Sequence, residues 1–251
     1  MNKVLVIGDS CLDEYIYCTT NRFCPDAPVP ILKPESFVST LGMAGNVVDN
    51  LKALDIEVEL ISNTNKIKKT RYVDERTNHM FFRIDEGEDD VFPITAKTLV
   101  ENINWDDYHA VIISDYCKGF IDEDTIKYIS EQHPITFLDT KKQIDNYAKN
   151  ITFIKINDVE YRYSADFLDK EYSDKLIITR GSNGAEYEGK VYPVKKVDVR
   201  DTSGAGDTFL AGLVGNYLET YNIVKAIKFA NKCATQVVQK KGTAKINKNG
   251  I

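Results

Sequence analysis

The sequence predicts the α/β class: a mostly parallel central sheet flanked by helices, with a small β-sheet flap beside it. Three observations carry that expectation. Short apolar runs recur at residues 4–7, 58–61, 110–114, 135–138, 152–156 and 176–179, each the length of a strand buried on both faces. Between several of them, apolar residues fall at helical spacing, as in Val47, Leu51 and Leu54 or Ile126 and Ile129. Strands alternating with helices give a parallel sheet, because each crossover returns over a sheet face. Two segments break this rhythm. Residues 14–38 are aromatic and Pro-rich, with Tyr15 and Tyr17 alternating as in an exposed strand, and 66–85 read as a hairpin turning near Thr77 and Asn78.

Taken in order, the run at 4–7 is the first core strand and ends at Gly8, beside the acidic pair Asp9 and Asp13. The flap strands of 14–38 follow, then a helix through Val47 and a core strand at 58–61. The hairpin of 66–85 returns to the flap, and the four later runs complete the sheet. Two consecutive helices, 204–218 and 223–239, follow the last of them. There is no internal repeat, low-complexity tract or Gly/Ser-rich linker. One domain, 1–251, with a flap formed from about 14–38 and 66–85, is the expected organisation.

Composition narrows the function. A chain of 251 residues with 43% hydrophobic content can bury a large core and is not disordered. Its net charge of −6 argues against a nucleic-acid groove or an anionic membrane as partner, while leaving room for a small phosphorylated ligand. The five cysteines are odd in number and lack zinc-type spacing, so reduced structural thiols in a cytoplasm are expected. No run is long enough for a signal-peptide core or a membrane span.

The chemistry gathers at residues 201–212, DTSGAGDTFLAG. Gly204, Ala205 and Gly206 fall where an apolar helix begins, and a helix N-terminus offers unpaired N–H groups and partial positive charge. Small residues let an anion approach that backbone closely. A carboxylate beside an anion site needs a separate task, and Asp207 suits a general base taking the proton of an attacking alcohol during phosphoryl transfer. The same residues also suit an ordinary helix start with Ser203 as N-cap.

This stretch resembles the Asp-Thr-x-Gly-Ala-Gly-Asp signature of the ribokinase-like (PfkB) carbohydrate kinases, intact here. The resemblance implies an ATP-dependent sugar kinase, with Asp207 as base and Gly204, Ala205 and Gly206 as the anion hole. Its cofactors would be ATP and Mg²⁺, with a monovalent cation such as K⁺ as a further candidate. Asn157 and Glu160 are similar to the family's Asn-x-x-Glu element, which places Glu160 near Mg²⁺ through water; alone, that spacing equally suits a helix cap. Thr179, Gly181 and Gly184 resemble its nucleotide-contacting turn, Asn231 the helix lining the adenine pocket, and Gly242 the turn after it. Asp13 resembles the first sugar-binding carboxylate, and Gly42 with Asn46 the Gly-rich turn carrying a second sugar contact.

Four segments, GDSCLDEYIY, APVPILK, ISDYCKGFI and KKGTA, narrow the resemblance to the kinase domain of the bifunctional heptose enzymes of lipopolysaccharide synthesis. That implies phosphorylation of D-glycero-β-D-manno-heptose 7-phosphate at O1. The 7-phosphate would be held by cations from Lys69, Arg71, Arg83 and Lys118, in a pocket that includes Asp115. A homodimer through the flap is expected, since a small sheet with an apolar face seeks a partner. The chain departs from that branch in Met43, which stands where a second glycine is usual. It is also short at 62–66 and 160–176, and lacks a nucleotidyltransferase half, so the second reaction is expected to be absent. The alternatives are a kinase of the same family for another sugar or a nucleoside, or a non-catalytic binding protein of this fold.

Overall fold

The computed structural model describes residues 2–168 and 170–251. Its main sheet has eight strands. Six run parallel: β1 (Lys3–Gly8), β4 (Glu57–Ser62), β7 (Ala110–Asp115), β8 (Thr136–Thr140), β9 (Phe153–Asn157) and β10 (Leu176–Thr179). The short β11 (Ala185–Tyr187) and β12 (Lys190–Tyr192) close one edge antiparallel, giving the order β12-β11-β10-β9-β8-β7-β1-β4.

Alternation along each strand divides the apolar residues between two layers. Val4, Val6, Ala110, Ile112 and Phe137 join one core with α1 (Ala44–Ala53), α5 (Ala205–Thr220) and α6 (Ile223–Val237). Leu5, Ile7, Val111, Ile113, Leu138 and Ile154 join the other with α2 (Ala96–Asn102), through Leu99, and α3 (Glu123–Gln132), through Ile126 and Ile129. Each fully buried aliphatic side chain contributes about 1.5–3 kcal/mol of transfer free energy, so these layers hold the sheet. Among the described residues, no helix is long and apolar enough to cross a membrane.

The second sheet has four strands: β2 (Ser10–Phe23), β3 (Pro30–Met43), β5 (Ile67–Asp74) and β6 (Met80–Glu86), in the order β3-β2-β5-β6. Two of its strands exceed the sequence expectation. β2 begins one residue after β1, and β3 runs on to Met43, so Asp13 stands on a flap strand instead of in a loop at the end of β1. The ladder pairs Cys11 with Gly42 and Asp13 with Thr40. Polar residues facing inward and a glycine in the pairing position erase the apolar alternation that would mark a strand.

The short connection after β4 is tied down by Asn63. Its Oδ1 accepts from Ser10 N at 2.7 Å, and its Nδ2 donates to Ser10 O at 3.1 Å and Asn65 O at 2.8 Å. The hairpin turn forms where expected. The Asp74 carboxylate accepts from Arg76 N and from both the amide and the hydroxyl of Thr77.

Candidate active site

Helix α5 starts without a side-chain cap. Its N-cap is Gly204 in the left-handed region (φ 73°, ψ 3°), so the Ser203 cap that would make this an ordinary start is not formed. A β-carbon at Gly204 would lie 2.5 Å from Asn46 Nδ2 and 2.9 Å from Thr243 Cγ2. Only glycine fits, sterically and conformationally. Ala205 N donates to Thr202 O at 3.2 Å, while the amides of Gly206 and Asp207 have no protein acceptor among the described residues. Two free donors at a positive helix end form an anion site.

Asp207 lies one turn in and is buried. Tyr116 Oη donates to its Oδ1 at 2.5 Å, and Asn46 Nδ2 donates to its Oδ2 at 2.9 Å. Asn46 is held in turn: its Oδ1 accepts from Asn50 Nδ2 at 2.9 Å, and Asn50 Oδ1 accepts from Ile246 N at 2.9 Å. This relay fixes which end of the Asn46 amide faces Asp207. Burial pushes the Asp207 carboxyl up to about 6; the hydrogen bonds from Tyr116 and Asn46 oppose that rise, the charge of Asp139 adds to it and Lys155 opposes it. A carboxylate poised there accepts protons at neutral pH better than an ordinary one. Because the base works ionised, kcat/KM falls about tenfold per pH unit below roughly pH 6. A pH–rate profile flat down to pH 4.5 would contradict this.

A buried charge cluster underlies the helix start. Lys155 on β9 pairs with Asp139 on β8 at 2.7 Å, and both are buried. A β-carbon at Gly206 would meet Lys155 Nζ at 3.1 Å, so the ammonium lies directly against the anion site. Lys141 bonds Glu160 and stands 3.9 Å from Asp139 Oδ1, a buried oxygen with no hydrogen-bond partner. Asn157 and Glu160 form a full capping box at the start of α4 (Asp158–Ser164). The Glu160 carboxylate therefore has a structural task, capping α4, as well as its bond to Lys141.

On the flap side, Asp13 Oδ1 bonds Arg71 at 2.6 Å, and the Asp13 carboxylate lies over Gly42 where any β-carbon would overlap it. Asp13, Gly42 and Arg71 thus form one cluster on the flap, and Asn46 with Asp207 a second one between α1 and α5.

Other expected residues stand elsewhere or are engaged. Arg83 pairs across the strands with Arg71 but lies on the edge strand, half exposed and bonded to Asp85. Lys118 bonds Glu88 at 2.5 Å, and Lys69 meets the same carboxylate at 3.5 Å. Asp115 points inward, accepting from Thr140 Oγ1, Lys142 Nζ and Cys117 N, and supports the turn after β7.

Thr179, Gly181 and Gly184 form the β10–β11 connection, where Thr179 Oγ1 donates to Ile156 O. Asn231 donates to Tyr192 O at 2.8 Å and helps line a cavity of about 690 Å³ along α6. Gly242 is apart from that cavity: its N–H donates to Asp201 Oδ2 at 3.0 Å, under Tyr15 and Tyr17.

Sequence reading missed three contributors. Tyr116 lies in the run ISDYCKGFI, where nothing in the spacing assigns it a role. Lys155 hides in the strand run IKIN, where a lone lysine among apolar residues was its only signal. Asp9 accepts from Tyr116 N at 2.7 Å, Lys118 N at 3.3 Å and Phe120 N at 3.4 Å, fixing the turn after β7 from a distance in sequence that spacing does not reveal.

The sheet, flap and helix-start anion site define a class, the ribokinase-like kinases. Solved structures agree on the fold: ribokinase from Thermotoga maritima superposes with a TM-score of 0.69 at 16% identity, covering 98% of this chain and 97% of that one. A nucleoside kinase from Methanocaldococcus jannaschii gives 0.67 at 19% identity, covering 99% and 94%.

Residues 63–249 match the model of the pfkB family carbohydrate kinases, and the chain belongs to that family. That family is one of carbohydrate kinases. Curated relatives include the bifunctional protein HldE of Nitratiruptor sp., 28% identical over 96% of this chain, and that of Helicobacter acinonychis, 29% identical over 97%. The chain spans 62% and 64% of the length of these two relatives.

Proposed function

We propose that this chain transfers the γ-phosphoryl group of Mg·ATP to O1 of D-glycero-β-D-manno-heptose 7-phosphate. The observation that carries the reading is the buried Asp207 carboxylate beside the two unpartnered amides of Gly206 and Asp207. Asp207 takes the proton of the acceptor hydroxyl as the new O–P bond forms and the bond to ADP breaks. The amides and the nearby Lys155 ammonium stabilise the transferring group. Asp13, Gly42 and Asn46 form the sugar side of the site.

Adenine and ribose suit the cavity along α6, and the β10–β11 turn flanks the nucleotide. Glu160, whose oxygens already accept from Lys141 and Asn157, would hold Mg²⁺ through water beside Asp139, and the ion would supply charge neutralisation at the phosphates. Among the described residues no three His, Cys, Asp or Glu side chains group to hold a metal, so phosphate and water would complete its shell.

An anionic acceptor is supported by a second cavity of about 320 Å³ between the flap and the loop before α5, with Arg71 and Arg200 on its walls. Arg71 bonds Asp13, as Arg83 and Lys118 bond acidic neighbours, but Arg71 lines this cavity with Arg200 whereas Arg83 and Lys118 do not, which makes it the favoured phosphate contact of the flap. The relatives named HldE support the heptose.

One observation favours a second reading, a different acceptor for the same chemistry. Met43 is buried against Cys11, Ile67 and Tyr116 with φ 57° and ψ −132°, a strained conformation for a residue with a side chain. The test is a panel of heptose 7-phosphate, hexose phosphates, free sugars and nucleosides, read by ³¹P NMR of the products. A new anomeric phosphate formed only with the heptose supports the first reading; turnover of another acceptor alone replaces it with the second.

The outer flap face carries a row of Phe37, Ile16, Tyr72 and Phe82 across its four strands. Phe37 and Phe82 are 58% and 47% exposed. A second copy of the chain covering this face is the expected partner. Sedimentation should show a dimer that Phe37→Glu with Phe82→Glu converts to monomer; a monomeric wild type refutes it.

A further inference from the structure

The base of this site already has a hydroxyl on it. Tyr116 Oη sits 2.5 Å from Asp207 Oδ1, the short separation of a charge-assisted O–H···O⁻ bond. The other oxygen takes Asn46 Nδ2. In the reading above, an acceptor hydroxyl must donate to this same carboxylate, beside the free amides of α5. Asn46 cannot give way easily, since its amide is locked by Asn50 and also donates to Gly204 O at 3.3 Å. The phenol is the group that can.

The surroundings of Tyr116 fit a side chain that moves on a fixed backbone. Its residue begins the turn after β7, and Asp9 accepts from its amide and from those of Lys118 and Phe120. Cys117 and Gly119 in that turn have φ of 55° and 96°, so the turn is already committed to one path. The ring itself is half-buried. One neighbour is Lys141, whose Nζ lies 5.1 Å from the ring centroid, and others are Met43, Cys11 and Ile67. Because the Asp9 bonds go to backbone amides, rotation about the Tyr116 side-chain torsions would leave them intact.

We propose that Tyr116 is a positioning residue standing in for the acceptor hydroxyl: in the sugar-free enzyme it occupies the proton-donor place on Asp207 and keeps water from the base, and it yields when the sugar binds. This rests on the reading of Asp207 as the general base. It has a chemical consequence. A water on Asp207 beside the anion hole would be aligned to attack ATP, giving wasteful hydrolysis, and the phenol prevents that without closing the pocket.

Replacing the phenol by Phe leaves a buried carboxylate oxygen short of a donor, which draws in water. The groups facing Asp207 are Tyr116, Asn46, Asp139 and Lys155, with Lys141 and Cys11 further out. Only the first changes in the variant. Because its hydrogen bond favours the ionised carboxylate, its loss moves the titration of Asp207 upward in the free enzyme. With sugar bound, the acceptor replaces the phenol in either protein, and the two should titrate alike.

The experiment compares wild type, Tyr116→Phe, Asp207→Asn and the double variant in Mg·ATP without sugar, then measures pH profiles with the sugar that the wild type turns over. Sugar-independent ADP release should rise at least tenfold in Tyr116→Phe and return to the Asp207→Asn level in the double variant. The acid limb of kcat/KM should move up while that of kcat stays in place, a split that a merely structural role does not produce. If Tyr116→Phe folds poorly, Tyr116→Leu carries the same expectations. Unchanged basal hydrolysis and unchanged profiles in a folded variant, with Asp207→Asn inactive on sugar, overturn the stand-in role and leave the base intact. Full sugar kinase activity in Asp207→Asn removes the base, and the stand-in with it.

Discussion

Asp207→Asn should lower kcat for sugar-dependent ADP release by about 10³-fold, within the usual range for removing a positioned general base, while KM for ATP changes little. Tyr116 and Asn46 converge on this carboxylate, and both side chains remain in the variant. The amides of α5 also remain, so the residual rate reports what the anion hole and binding supply alone. A companion effect is readable in the wild type. Burial raises the folded-state titration of Asp207 to about 6 from the ordinary aspartate value of 3.8, so the folded state binds its proton more tightly than the unfolded chain does. Its contribution to stability is full below the unfolded value and is lost as pH rises through about 6. The asparagine variant should lack that slope. A kcat within threefold of wild type would mean that Asp207 is not the base.

Lys155→Met should destabilise the fold by about 3–5 kcal/mol, the cost of removing one partner from a buried ion pair. Asp139 would be left buried, its Oδ2 without the 2.7 Å bond from Lys155 and its Oδ1 already without a partner. The double variant Lys155→Met with Asp139→Leu should recover most of the loss, because an apolar pair of similar volume replaces the charges. It should not recover activity, since the ammonium beside Gly206 is gone. Urea unfolding of the three proteins checks the first expectation and ADP release the second. A loss below 1 kcal/mol in the single variant would show that the pair is solvated in solution.

Much of this was legible in the residues because the informative features are local. The stretch 201–207 announces a helix start with small residues and a carboxylate, and α5 begins there. Apolar runs with helical spacing between them gave the main sheet, since burial on both faces leaves a continuous signature.

The flap was legible in outline only. Its strands β2 and β3 place Asp13 and Gly42 toward the site, and functional polar residues interrupt the alternation that marks a strand. The support of Asp207 was not legible at all. Tyr116 reaches it across 91 positions and Asn46 across 161, and only the crossing of β7, α1 and α5 in space brings them together. Similarly, Arg83 and Arg71 look equivalent in the hairpin. Only the sheet order shows one beside Asp13 and the other on the edge, bonded to Asp85.

The most direct measurement is ADP release by the purified protein in Mg·ATP, with and without D-glycero-β-D-manno-heptose 7-phosphate. The sugar should raise the rate at least a hundredfold over the basal level, and phosphate should appear on the sugar in step with ADP. Folded protein that binds both ligands, yet gives no sugar-dependent ADP with the heptose or any other acceptor of the panel, would contradict this expectation and leave a binding protein built on a kinase fold.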